Sequence, residues 1–468
     1  MARIENHCSI LDFGHYLSLI DFNDIENSLI CPMLNLTNKS VTILGAQRSG
    51  MALSKLIQKE GGKVRISEQA PRENFDLNVH PLISDDSMEV EFNGHTQPFI
   101  EQSDLLVLSP GVRFDALPVQ WARAKGIPVL GEIEFAFQFC SKPVIAITGS
   151  NGKTTVTTLI HNVLQEAGYR SSLCGNIGSP FAEHVLNSSE KDFFVLEVSS
   201  FQMESLMPTD SPFRRQGGQD GIFIKGFKPS IAVFLNFSQN HLDRHKDLNE
   251  YFEAKRRIFL NQDQNDVAVL NGQDETLKNF STQLSSKVIF FNMNHLNPNS
   301  SAALAVAESL GIPSKVSERV FKNFKGVEHR REWVRNLDGI DFVNDSKATT
   351  PEAAMWALNQ TDQPVLWICG GRNKKTDFAI LRPIVQQKVK KIFAIGEATM
   401  KIHQTFSDIV QVQQCHRLET ALKNAKAQGS KGDCVLLSPM CASFDMFRNF
   451  EDRGQVFKTL VQSLKSHA

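Results

Sequence analysis

The sequence predicts an α/β chain of three domains with mostly parallel sheets, and three observations carry that prediction. At 468 residues the chain is too long for one core, since single hydrophobic cores stop growing at about 250–300 residues. Short apolar runs at 41–44, 105–108 and 365–369 alternate with stretches of helical period. This is the pattern of strands buried on both faces and covered by helices. Residues 144–155 run one such strand into a tight polar turn and then into a helix.

Composition narrows the function. The 50 basic and 51 acidic residues nearly cancel, so nothing in the overall charge calls for nucleic acid or an anionic membrane. The eight cysteines are scattered and form no C-x-x-C pair, which predicts reduced core thiols in a cytoplasmic protein. No apolar run approaches the roughly 20 residues that span a bilayer. Residues 1–39 show helix-like apolar spacing around Tyr16, Leu17, Leu19 and Ile20 and receive no chemistry.

The first domain is expected over residues 40–131. A strand at 41–45 leads through Ala46, Gln47, Arg48, Ser49 and Gly50 into a helix, followed by a second strand ending at Glu68. Gln47 stands where a dinucleotide fingerprint needs its second glycine, so that fingerprint is weak. A phosphate would fit at the helix start near Arg48 and Ser49, with Glu68 placed for a sugar or base. Ser109, Pro110 and Gly111 end a further strand; alone they read as a structural turn.

The second domain, 132–326, holds the central motif. Gly149, Ser150, Asn151, Gly152, Lys153, Thr154 and Thr155 form G-x-x-G-K-T, a shortened relative of the Walker loop with Ile147 where the longer loop has glycine. The turn's N–H groups and the positive end of the next helix converge on one spot. Lys153 adds a full charge, and the Thr154 hydroxyl suits Mg²⁺. A strand at 193–200 carries Glu197 toward its carboxyl end, a second candidate for the metal. Gly175, Asn176, Ile177 and Gly178 form a turn, and 208–221 is a polar, Gly-rich surface insertion. The strand at 231–235 leads to His241, which could ligate a second Mg²⁺ or orient a substrate, although a lone histidine is more often structural. The helix at 251–259 carries Lys255, Arg256 and Arg257, which by themselves read as a solvated face. A strand at 265–271 and a helix at 302–310 follow.

The third domain, 327–468, has strands at 340–343, 365–369, 392–395 and 435–438 with helices between them. Each ends in a polar loop: 344–349, 370–375, 396–397 and the loop starting at Ser438. Parallel strands would bring these loops to one edge, lining a cleft.

With these motifs in this order the chain resembles the Mur ligase family from about Val41 to its end. The carriers are residues 148–155, 197–204, His329 with Arg330, 344–349, 438–444 and 449–451. The resemblance implies a Rossmann-like UDP-binding domain, a P-loop-type ATPase domain and a Rossmann-like amino-acid domain. It further implies a monomeric, cytoplasmic, ATP-dependent ligase of peptidoglycan-precursor synthesis, adding D-glutamate to UDP-N-acetylmuramoyl-L-alanine through an acyl phosphate. The loop with Lys153 would hold ATP, and Thr154 and Glu197 one Mg²⁺. His241 would serve a second Mg²⁺ with Lys255 as a carbamylated lysine, which replaces the solvated-face reading of Lys255. Cationic neighbours such as Arg256, or a nearby metal, would lower that lysine's pKa. Asn176 would meet the nucleotide or the substrate's carboxyl end; Asn299, Arg330 and Asp345 the adenosine; Arg48, Ser49 and Glu68 the UDP. Lys347, Thr349, Lys374, Ser443, Phe444 and Phe450 would shape the D-glutamate and reaction site. Asn240 replaces a common aspartate, leaving less negative charge near the metals, and a hinge is expected at 326–329. The competing readings are a diamino-acid-adding ligase or folylpolyglutamate synthase of the same family, or a nucleotide-dependent regulator without catalysis. The Asp-Asn-Pro-Arg motif of the diamino-acid branch is absent.

Overall fold

The computed structural model describes residues 34–74, 88–208, 215–216, 222–238, 245–292, 296–373 and 376–466. The expectations placed on the leader at 1–33, on His241, on Lys374 and on most of the 208–221 insertion lie outside them. The chain divides into two compact units, Met1–Phe324 and Lys325–Ala468.

The first unit contains two parallel sheets. In the first sheet β1 (Ser40–Leu44), β2 (Lys63–Ser67), β3 (Glu89–Glu91), β4 (Leu105–Leu108) and β5 (Val129–Gly131) run in the order β3-β2-β1-β4-β5, all parallel. The order reverses between β1 and β4, which is where doubly wound sheets hold ligands at their carboxyl edge. In the second sheet β6 (Val144–Thr148), β7 (Ser171–Gly175), β8 (Phe193–Glu197), β11 (Ile231–Phe234), β12 (Val267–Asn271) and β13 (Lys287–Phe291) follow the order β13-β12-β11-β6-β8-β7. These too are all parallel. A short antiparallel pair, β9 (Arg215–Gln216) and β10 (Ile222–Phe223), lies between β8 and β11 in the chain. β6 is central in its sheet, and all five of its residues are buried, so the turn that follows it starts from a fixed point.

One continuous apolar core joins the two sheets, running from Val41 and Leu53 through Ile133 and Phe135 to Phe181, Phe194 and Phe234. Polar links reinforce it. Lys59 Nζ donates to the Leu186 carbonyl at 2.6 Å, and the Ala182 N–H donates to Glu132 Oε1 at 2.8 Å. Glu132 is wholly buried, and burial pushes its carboxyl up to about 7.

The second unit is a sheet with β14 (Glu332–Leu337), β15 (Ile340–Asn344), β16 (Val365–Gly370), β17 (Val389–Ile395), β18 (Gln411–His416) and β19 (Cys434–Leu437), ordered β14-β15-β19-β16-β17-β18. Only β14 is antiparallel to its neighbour. Separate apolar clusters cover the two faces, one around Trp367 and Phe406, the other around Phe342 and Phe457. Among the described residues no helix is long and apolar enough to cross a membrane. The six described cysteines, Cys140, Cys174, Cys369, Cys415, Cys434 and Cys441, are all buried thiols outside any disulfide.

Candidate active site

In the first unit the site grows from the carboxyl ends of β6, β8 and β11. The turn after β6 needs backbone that L side chains rarely adopt: Gly149 has φ +153° and Gly152 φ +83°. A Cβ on Gly152 would stand 2.6 Å from Asn299 Oδ1, and one on Gly149 2.9 Å from Leu235 Cβ. The turn is stitched to the loop after β11. Ser150 N–H donates to the Asn236 carbonyl at 3.0 Å, Asn151 N–H to Asn236 Oδ1 at 2.9 Å, and Ser150 Oγ to the Ser238 carbonyl at 3.0 Å. Asp274 anchors that second loop by accepting the Phe237 N–H at 2.9 Å. The helix Lys153–Glu166 starts directly from Gly152 with no side-chain cap, leaving its first N–H groups for a ligand.

Lys153 Nζ donates to the carbonyls of Gly149 at 2.8 Å and Ser150 at 3.2 Å. Thr154 is buried, and its hydroxyl has no hydrogen-bond partner among the described residues. A buried hydroxyl left in this condition costs about 1–3 kcal/mol, so its place at the mouth of a phosphate-type turn fits a ligand atom. Glu197, buried at the end of β8, pairs with Ile147 of β6. Asn176 holds it twice, donating its Nδ2 to Glu197 Oε1 at 2.8 Å and its backbone N–H to the Glu197 carbonyl at 2.9 Å. A hydroxyl and a carboxylate are the hard oxygen donors that suit Mg²⁺.

Lys255 is only 1% exposed. Its helix, Leu248–Arg256, is capped by Asp247, whose side chain accepts the Glu250 N–H at 2.8 Å, an interaction of about 1 kcal/mol. Lys255 Nζ donates to the Gly149 carbonyl at 2.9 Å and lies 3.5 Å from Thr148 Oγ1. Burial first, then the charge of Lys153, hold its ammonium well below the ordinary lysine range against the pull of Glu197. Of the expected causes, Arg256 is not among those acting, since that guanidinium pairs with Glu253 at 2.5 Å on the partly exposed side of the helix. Asn297 caps the helix Pro298–Ser309, which brings Asn299 against Gly152.

At the first sheet Glu68 is already engaged, accepting the Ala46 N–H at 2.6 Å and the Ala70 N–H at 2.8 Å. Its part in this structure is to fix the turn after β1. Arg48 Nη2 donates to Ser179 Oγ at 2.9 Å, and Ser49 is half-buried in the first turn of the helix Arg48–Lys59.

In the second unit the four polar loops do share one edge, because β15, β19, β16 and β17 are parallel. Asp345 is buried, accepting the Ser438 hydroxyl at 2.8 Å and the Arg331 N–H at 3.2 Å. Burial outweighs these bonds and pushes it up to about 7. Arg330 is exposed beside it. Lys347 Nζ stands 5.6 Å from the centre of the Phe450 ring, and Thr349 N–H donates to the Lys347 carbonyl at 2.9 Å. The Ser443 carbonyl accepts the N–H groups of Met446 and Phe447, while Phe444 is 62% exposed. The sequence reading misses Arg453. This fully buried residue donates Nε to Ser346 Oγ at 3.0 Å, Nη2 to the Ser346 carbonyl at 2.8 Å and Nη1 to the Cys441 carbonyl at 3.2 Å. One guanidinium thus ties the 344–349 loop to the 438–444 loop. Its signal was an arginine three residues beyond Phe450, inside an otherwise amphipathic helix.

The Mur ligase middle domain matches residues 147–325, and the Mur ligase glutamate ligase domain matches 329–441. The UDP-N-acetylmuramoylalanine--D-glutamate ligase of Koribacter versatilis is 34% identical over 92% of this chain and 99% of its own. That of Pelotomaculum thermopropionicum is 35% identical over 92% and 98%. The chain belongs to the Mur ligase family. A solved Mur ligase, the UDP-N-acetylmuramate-alanine ligase of Thermotoga maritima, shares the fold with a TM-score of 0.54 at 16% identity, covering 92% of this chain and 100% of its own. Within this Mur ligase the middle-domain match takes in the turn at 149–155, Glu197 and Lys255. The glutamate-ligase match takes in Asp345, Lys347 and Thr349 but stops before Arg453.

Proposed function

We propose that this Mur ligase joins D-glutamate to UDP-N-acetylmuramoyl-L-alanine, converting ATP to ADP and phosphate. The observation that carries the reading is the convergence of Lys153, Thr154, the Asn176–Glu197 pair and Lys255 on one phosphate-type turn, in a chain about a third identical to ligases of that name.

A carboxylate repels nucleophiles, so joining it to an amine first requires a better electrophile. Phosphoryl transfer from ATP to the alanyl carboxylate gives an acyl phosphate, and the transition state is stabilised by positioning and charge rather than by covalent help. The N–H groups at the start of the helix Lys153–Glu166 face the phosphates. Lys153 exchanges its contacts with the loop carbonyls for phosphate oxygens. The amine of D-glutamate then adds to the acyl carbon, and the tetrahedral intermediate expels phosphate. Lys347, Thr349, Lys374, Ser443, Phe444 and Phe450 are assigned to orienting the amino acid, whose two carboxylates suit cationic and hydroxyl donors. Asn299 is assigned to the nucleotide on its place beside Gly152.

Two Mg²⁺ ions, when bound, would screen the phosphate charge, one held by Thr154 and Glu197 and the second by His241 and a carbamylated Lys255. The Lys255 environment fits that modification. A lysine amine adds to CO₂ only when neutral, and burial beside Lys153 favours the neutral amine. Phosphate release measured with each substrate alone, both together, and a panel of amino acids in place of D-glutamate tests the reading. Release that requires the muramoyl substrate and D-glutamate together supports it; equal release with a diamino acid or without any amino acid refutes it.

A further inference from the structure

One cavity of the first unit has no part in the site above. It is a cleft of about 470 Å³ formed by β5, the helix Leu117–Ala124, the segment 206–208 and the helix Leu248–Arg256 with the turn that follows. That volume lies in the range of small-molecule sites, about 300–1,000 Å³. Its floor is apolar, with Ile127, Val129, Leu206, Met207 and Leu260. Its charged lining is three arginines, Arg123, Arg256 and Arg257, against one acid, Glu253. Glu253 is taken by Arg256. The Arg123 guanidinium lies 4.3 Å from the centre of the Phe114 ring, and Arg257 Nη1 donates to the carbonyls of Glu204 and Leu206. Neither has an ion-pair partner among the described residues.

We propose that this cleft binds a small organic anion with an apolar body, an aromatic or branched carboxylate or sulfonate, and that the bound anion regulates turnover. An apolar floor beside two guanidiniums without carboxylates matches such an anion better than a neutral or cationic ligand, because the planar Arg fork favours bidentate oxyanions and stacks on aromatic faces. The coupling follows from the shared helix. Glu253 and Arg256 line the cleft, while Lys255 reaches from the same turn to the Gly149 carbonyl. A ligand that shifts this helix therefore changes how Lys255 is seated; this half of the proposal rests on the role assigned to Lys255 above.

The test uses the full-length protein and naphthalenesulfonate, with the uncharged naphthalenesulfonamide as its twin. Binding is read by calorimetry, and turnover by phosphate release at saturating substrates. The expected result is saturable binding at a single site that ATP does not compete away. Affinity should fall about tenfold in Arg123→Glu and for the neutral twin, and turnover should change as the site fills. Arg123→Glu should melt and turn over like the parent without the anion, since Arg123 is exposed. Leu260→Glu, which places a carboxylate on the cleft wall, should lose the anion as well. Equal binding of the twin, competition by ATP, or unchanged affinity in both variants overturns the site. Binding with constant turnover overturns the coupling, and absence of turnover before any anion is added would instead count against the ligase reading.

Discussion

Lys255 Nζ lies 2.9 Å from the carbonyl oxygen of Gly149, the residue that opens the phosphate-type turn. The lysine therefore supports the turn from beneath while its amine stays out of water. Lys255→Ala is expected to lower phosphate release about a thousandfold, on the scale of losing one preorganised transition-state contact. A short carboxylic acid such as acetate should restore part of the activity by supplying the missing oxygens. Full activity in the variant would eliminate the modified-lysine assignment.

Thr154→Val separates a ligand role from a structural one. The hydroxyl has no partner among the described residues, so replacing it with a methyl group of similar shape should leave the melting temperature unchanged or raise it. Turnover should nevertheless fall about a hundredfold, with a higher Mg²⁺ requirement. A destabilised variant with normal turnover would reverse the interpretation.

Gly152→Ala forces a side chain into left-handed backbone and against Asn299 Oδ1. The backbone term alone is about 1–2 kcal/mol. We expect a modest drop in melting temperature and loss of nucleotide affinity, measured by calorimetry. Adding Asn299→Ala to Gly152→Ala should relieve the contact but not the φ strain, so stability should return only in part.

Arg453 has a pKa lowered to about 10 by its burial and binds three acceptors on two loops. Arg453→Met should cost about 3 kcal/mol, since it strands buried carbonyls. Arg453→Lys keeps the charge but not the planar fork. Its KM for D-glutamate should rise about tenfold while the KM for ATP changes little. Equal increases in both would mean the residue serves the fold of the unit and not the amino-acid loops.

Asp345 gives a pH signature. Its folded value of about 7 exceeds that of an unfolded aspartate, about 4. Between those values the folded protein holds more protons than the unfolded chain. The contribution to stability is thus present in full below about 4 and is lost as pH rises toward 7. Asp345→Asn, a permanent mimic of the protonated acid, should flatten the fall of melting temperature across that window, although Glu132 keeps a slope of the same sign. Identical slopes in parent and variant would contradict the buried-acid assignment.

The reach of sequence reading follows burial. The strands that apolar runs predict, such as those at 41–45, 144–148 and 365–369, are interior strands covered on both faces. Apart from the short β9–β10 pair, the strands that the runs do not predict, β3, β5, β7, β13, β14 and β18, are the two edges of each of the three large sheets. An edge strand has one neighbour and admits polar residues, as in Gln411–His416 with Gln413 and Gln414, so its pattern is diluted. The turn at 149–155 was legible because its chemistry is local. Lys255 was hidden by residue type, although Tyr251, Ala254, Lys255 and Ile258 mark one buried helical face at the spacing i, i+3, i+4, i+7. Arg453 left only the signal of an arginine inside an amphipathic helix, and its role was not legible because its acceptors at Ser346 and Cys441 are set by how two distant loops fold.

The buried thiols give the protein an internal clock for its own opening. Cys140 and Cys174 belong to the first unit and Cys369, Cys415, Cys434 and Cys441 to the second, and burial pushes the thiols of Cys140, Cys174, Cys369, Cys415 and Cys434 above the ordinary cysteine range. An alkylating reagent meets a reactive thiolate at these positions only after the surrounding packing has parted. Mass-resolved alkylation under native conditions would therefore time the breathing of each unit separately, with no engineered label.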